Sequence, residues 1–268
     1  MSISEPKLSG RVRVPRSRAL VNDVLKLHRK VPTCAHDRVM HLSQVATLRD
    51  TQPQRVGWSV IFLKAFAILS AKHHVLRQTF RKWPWAHIFQ HAETTALVAT
   101  HRKYQQHDWL LWGRFRNPEK LSLVDLQQQM DWFSSGDVEA AFDQQLKFSA
   151  LPSLIRKAIW WWNFNVAGEK RGKRTGTFSM TSIASRGAEI QHPPGFQTSN
   201  LTYGPIDDAG CCRVTIAYDH RLMDGSFVAE RLLELETTLK ADIANELALN
   251  IQRDSQSANP SSQSSRVA

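Results

Sequence analysis

The stretch Tyr218-Asp219-His220-Arg221-Leu222-Met223-Asp224-Gly225 joins two segments of different periodicity. Ahead of it, Arg213 to Tyr218 alternates polar and apolar residues, the pattern of a strand with one buried face. Behind it, Val228, Leu232 and Leu235 recur four and three apart, as on one face of a helix. The octapeptide is therefore a strand-to-helix corner carrying a histidine and an aspartate four residues apart. Gly225 reads as a point where the backbone needs freedom that a side chain would deny. Two descriptions fit the pattern alone. One is an exposed histidine followed by an aspartate that caps the helix. The other is a metal pair, which would need a third ligand, and none stands at a recognisable spacing.

The fuller wording, Asp-His-Arg-Leu-Met-Asp-Gly after an alternating strand, resembles the signature of the acyltransferase core of 2-oxoacid dehydrogenase complexes, a fold shared with chloramphenicol acetyltransferase. Other segments follow the family order. A basic helix pattern starts near Pro15 and ends before Pro32, since a residue preceding proline avoids helical geometry. Val39 to Leu42 reads weakly as a strand. A strongly apolar helix over 57–72 carries Lys64-Ala65. Ile88-Phe89-Gln90 and Thr95 to Thr100 look like a strand pair, and Thr175 to Ile183 resembles the family's Gly-Thr-Phe strand. The shorter His-x-x-x-Asp-Gly also occurs in condensation domains and plant acyltransferases. Those resemble two such folds fused, far longer than 268 residues, so the length here fits one copy.

The resemblance implies an α/β layered fold, a mixed sheet flanked by helices, assembled as a homotrimer. It implies that coenzyme A, as acyl-CoA, enters a channel at the subunit interface, with no metal and no attached lipoyl group. His220 would be the general base and Thr181 the hydroxyl that faces the oxyanion, from different subunits. Asp224 would form a salt bridge with Arg18, Arg16 being the reserve, and so hold the histidine-bearing loop. Residues 102–175 match poorly, which leaves acyl donor and acceptor open. The gap from Thr181 to His220 is shorter than usual in the family, which implies a trimmed hairpin.

Composition sets the frame. A hydrophobic content of 42% and a charged content of 22% are ordinary for a globular chain, but the net charge of +11 is not. It favours acidic partners such as a phosphorylated ligand, an anionic membrane surface or nucleic acid. The basic residues are dispersed apart from Lys170 to Arg174, and no nucleic-acid motif accompanies them, so nucleic acid is disfavoured. Cys34, Cys211 and Cys212 make no disulfide framework, which suggests a reducing cytoplasm. Trp160, Trp161 and Trp162 stand beside Arg156 and Lys157 in a helical stretch. A buried core helix or a subunit contact is the favoured reading, and a membrane interface the other. Residues 1–10 read as a flexible arm, 11–250 as the catalytic domain and 251–268 as a disordered tail. Two alternatives to an acyltransferase remain: a catalytically inactive scaffold or binding module of the same fold, and a basic protein that binds nucleic acid or an anionic membrane.

Overall fold

A computed structural model describes residues 10–257. The proposed arm, save Gly10, and the last part of the proposed tail lie outside the described residues. A 3-10 turn, Arg16–Arg18, leads into α1 (Ala19–His28), followed by β1 (Thr33–His41), α2 (Ser43–Asp50) and α3 (Trp58–Lys72). Next come β2 (Gln78–Arg81), β3 (His87–Gln90), β4 (Thr95–Tyr104), β5 (His107–Arg116), α4 (Leu123–Ser135), α5 (Val138–Ala150), α6 (Ser153–Asn165) and α7 (Glu169–Thr175). The chain ends with β6 (Phe178–Thr181), β7 (Ser199–Ile206), β8 (Cys211–Asp219), α8 (Gly225–Thr238), a π-helical turn and α9 (Ala244–Ser257).

Six strands form a mixed sheet in the order β1-β8-β7-β6-β4-β5. β6 runs parallel to both β4 and β7, and every other pairing is antiparallel. α3 is the centre of the core. Val60, Ile61, Phe62, Leu63, Ala65, Phe66 and Ala67 are all fully buried, which explains why its apolar residues run round the helix rather than down one stripe. It packs with α8 against the sheet face formed by Phe178, Met180, Val214, Ile216 and Tyr218. Alternation along the strands therefore turns Ser179 and Thr181 to the opposite face.

Several expectations need correction. The proposed strand pair does not form. β3 pairs with β2 in a separate two-stranded sheet, whereas β4 pairs with β5. The β4–β5 hairpin closes through Gln105 and Gln106, both at positive φ (49° and 62°), the geometry of a tight hairpin turn. The sequence hid this because neither glutamine is a usual turn residue at positive φ. β1 begins directly after Pro32, well ahead of Val39. It is an edge strand bonded only to β8, so most of its side chains face water and its apolar alternation is lost. α9 continues to Ser257, beyond the boundary expected at 250.

Candidate active site

His220 stands immediately after β8. Its amide donates to Pro32 O at 3.0 Å, which fixes the corner to the residue entering β1. Its ring lies 5.6 Å from that of Tyr218, and Nδ1 is 3.7 Å from Asp224 Oδ1. Asp224 occupies the N-cap position of α8, yet its side chain makes no capping bond and is 84% exposed. Beside the corner, Asp219 takes two bonds from Arg221, at 2.8 and 2.6 Å, in the two-point geometry that a guanidinium and a carboxylate favour. Gly225 has an ordinary φ. Its constraint is space rather than backbone conformation: a Cβ there would lie 3.0 Å from His36 Nε2, so the ring would have to give by a few tenths of an ångström.

The expected Arg18–Asp224 bridge is absent among the described residues, and its place in the fold explains why. Arg18 begins α1, whose start is tied to α5 by Arg16, which donates to Ser149 Oγ and Leu146 O at 3.0 Å each. The His220 corner is anchored beyond the other end of that helix, at Pro32. Ten residues of α-helix span roughly 15 Å, which no arginine side chain bridges. The first helix does carry a buried ion pair, but with the signs reversed. Asp23 accepts from Arg156 Nε of α6 at 2.7 Å and from Trp160 Nε1 at 3.3 Å. Sequence reasoning missed it because both residues stand alone among neighbours of ordinary composition.

Thr181 ends β6, half-buried, and its hydroxyl has no hydrogen-bond partner among the described residues. The strand register separates it from His220 within one chain. Phe178 pairs with Ser199, and Ser199 with Tyr218. Thr181 lies three residues beyond that row in one direction and His220 two beyond it in the other, roughly 17 Å apart along the strands. Tyr218 also faces α3, while Thr181 faces away. One chain does not bring the two groups together.

The face that carries Thr181 holds a cavity of about 340 Å³ between the sheet, α1 and α6. Ser179, Leu97 and Trp112 form its floor, Val24 and Trp160 part of its walls. Of the three tryptophans, Trp160 is half-buried, whereas Trp161 and Trp162 are 51% and 56% exposed, so α6 is not a fully buried core helix. No helix among the described residues is long and apolar enough to cross a membrane. Among the same residues, no group of three His, Cys, Asp or Glu side chains is placed to hold a metal ion.

No protein-family profile matches the chain, and no curated protein does. Solved structures do match. The truncated catalytic core of the 2-oxoacid dehydrogenase multienzyme complex from Thermoplasma acidophilum superposes with a TM-score of 0.64 at 11% identity, covering 87% of this chain and 99% of that one. The dihydrolipoamide acetyltransferase of Azotobacter vinelandii gives 0.61 at 17% identity, covering 92% and 98%. The fold is that of a 2-oxoacid dehydrogenase acyltransferase core. The cubic core of a pyruvate dehydrogenase multienzyme complex superposes on 92% of the chain with a TM-score of 0.56 at 15% identity. The expected mixed sheet flanked by helices is present.

Proposed function

We propose that the protein is an acyltransferase acting as a homotrimer on acyl-coenzyme A, with His220 of one copy and Thr181 of the next on either side of the thioester carbonyl. One observation carries this reading: within an acetyltransferase-core fold, His220 sits at the end of β8 with an acid four residues on. The Azotobacter structure concerns the catalytic roles of a serine, a histidine and an asparagine, the last two also four apart. Thr181 matches the serine in chemistry, and Asp224 the asparagine in position. Two features support an assembled site. His220 and Thr181 lie at opposite ends of one chain's sheet, and the Thr181 hydroxyl has no partner among the described residues.

The chemistry is a proton transfer coupled to acyl exchange. An acceptor thiol, hydroxyl or amine gives its proton to His220 as it bonds to the thioester carbon. A thiol pKa of about 8.5 against about 6.5 for imidazole makes that transfer inexpensive near neutrality. The carbonyl oxygen, now negative, accepts from the Thr181 hydroxyl, a contact of a kind that lowers barriers by about 3–4 kcal/mol. The C–S bond then breaks, and the coenzyme thiolate recovers the proton from His220. The acceptor is small or carried by another protein. Free Cys34, Cys211 and Cys212 fit a cytoplasmic, reducing setting.

The test is acyl-CoA turnover by wild type and His220→Ala. A loss of roughly 100- to 10,000-fold is expected, the range of a general base. Equal turnover by the two would refute the mechanism. No turnover by either, from a folded oligomer, would instead favour the inactive scaffold, a reading supported by the solvent-exposed Asp224, which has no arginine partner among the described residues.

A further inference from the structure

A second and larger cavity, about 1100 Å³, opens beside the His220 corner. β2 and Asp219 line its inner part, the end of α1 one wall, and α6 with α7 the other. Eight lysines and arginines border it, against two carboxylates. Both carboxylates already have partners: Asp23 is held by Arg156, and Asp219 by Arg221. The remaining cations therefore face the cavity unneutralised. On the rim, Lys26, Arg29, Lys30, Lys82 and Lys157 form no ion pair among the described residues.

Deeper in, Arg81 and Arg171 are each only 5% exposed. Arg171 makes no side-chain hydrogen bond among the described residues, and its Nη1 is buried without a partner. Arg81 donates Nη2 to Gly168 O at 3.0 Å, but its Nε is unpartnered. Their other close neighbours are rings: Arg171 lies 4.2 Å from the Phe164 centroid and Arg81 4.1 Å from that of Phe89. Glu169 lies in the same region, but its carboxylate accepts from the Ala92 amide at 3.3 Å. Asp219 and Glu169 act on Arg171 and Arg81 respectively only from beyond ion-pair distance, and two buried guanidinium groups without a direct anionic partner are costly. The local field is correspondingly positive. Burial, then Arg81 and Arg221, push Arg171 down to about 9; burial, then Arg171 and Arg81, push neighbouring His91 down to about 3.

We propose that this cavity binds a small phosphorylated ligand, its phosphates held by Arg81 and Arg171 and its flat or apolar body by the aromatic wall of Trp160, Trp161, Phe164 and Phe196. A guanidinium matches a phosphate by parallel hydrogen bonds, and several cations call for a polyvalent anion; a single carboxylate would leave most of them unmatched. The aromatic wall adds a surface for a ring to stack on. The cavity adjoins the His220 corner through Asp219 and Arg221, but neither His220 nor Thr181 lines it.

The test uses the full chain, with binding followed by tryptophan fluorescence and calorimetry at low and high salt. The probes are inorganic pyrophosphate, ADP, adenosine and coenzyme A. Pyrophosphate and ADP should bind, more weakly as salt rises, with ADP the tighter and adenosine the weakest. Arg171→Gln and Arg81→Gln should each cost about tenfold or more in ADP affinity, the loss expected for one charge-assisted contact. Lys30→Glu, on the exposed rim, should weaken ADP without lowering Tm, and Arg171→Met should raise Tm of the free protein while removing binding. His220→Ala should leave all of this intact. If coenzyme A competes with ADP and shares its dependence on Arg171, the ligand is a nucleotide-bearing substrate; if it does not compete, the ligand is a separate phosphorylated molecule. The proposal is overturned if neither pyrophosphate nor ADP binds at millimolar concentration, if adenosine binds as tightly as ADP, or if affinity is unchanged in Arg171→Gln and Arg81→Gln.

Discussion

At the level of single side chains, His91 is among the groups whose titration the fold moves most. It is fully buried, with Thr79 Oγ1 at 3.2 Å from Nε2 and Glu169 at 3.6 Å from Nδ1. That second contact is not an ion pair at neutral pH, because burial and two nearby arginines hold His91 unprotonated down to about 3. The unfolded chain takes up this proton near pH 6.5, and the folded chain does not until about 3. Between those limits the unfolded state binds more protons, so the stability contributed by neutral His91 is complete above pH 6.5 and is lost as pH falls towards 3. The slope should approach about 1.4 kcal/mol per pH unit for one proton. Denaturant melts across that window should show it in wild type and not in His91→Gln. Nothing in the sequence around His91 marks it, because its two arginines come from β2 and α7. The strand-to-helix corner that carries His220, by contrast, was legible, since it is set by immediate neighbours along the chain.

Among the elements, α1 and α6 show how a sequence pattern can be right about a helix and silent about its partner. Both helices are plain from their periodicity. That they are clamped by Asp23 and Arg156 follows only from their packing, as does the placing of Arg18 too far from Asp224. The Asp23–Arg156 pair is buried on both sides, with side-chain exposures of 6% and 10%. Asp23→Asn should strand the arginine charge and cost about 3–5 kcal/mol, read from equilibrium unfolding. It should also loosen the wall shared by the two cavities, because Trp160 bonds the same carboxylate. In α3, Phe62→Ala removes a fully buried ring stacked on Tyr203 at 4.5 Å between centroids, and should cost about 3–5 kcal/mol. The same element shows where patterning succeeds: fifteen residues with almost no polar face have no alternative to burial. β3 and β4 show where it fails. Both read as strands, but strand character says nothing about which neighbour each one bonds.

For the assembled molecule, the proposed site requires a second copy, and that requirement has a sharp test. His220→Ala and Thr181→Ala are each expected to be inactive alone. Co-refolded in equal amounts as closed rings, they should recover about a quarter of wild-type turnover, since one interface in four pairs an intact histidine with an intact threonine. A site contained in one chain would recover nothing.

The corner at 218–225, the helices at 57–72 and 153–164 and the strand at 178–181 could all be read directly from the chain. Each is set by spacing between near neighbours, and periodicity with turn chemistry is a local property. The sheet order, the distance from Thr181 to His220, the missing Arg18 bridge and the two unpartnered arginines depend on which distant segments meet. That is settled by burying the α3 face against the sheet. Residues set together from segments tens to hundreds of positions apart leave no local spacing to read, so those features came from the fold alone.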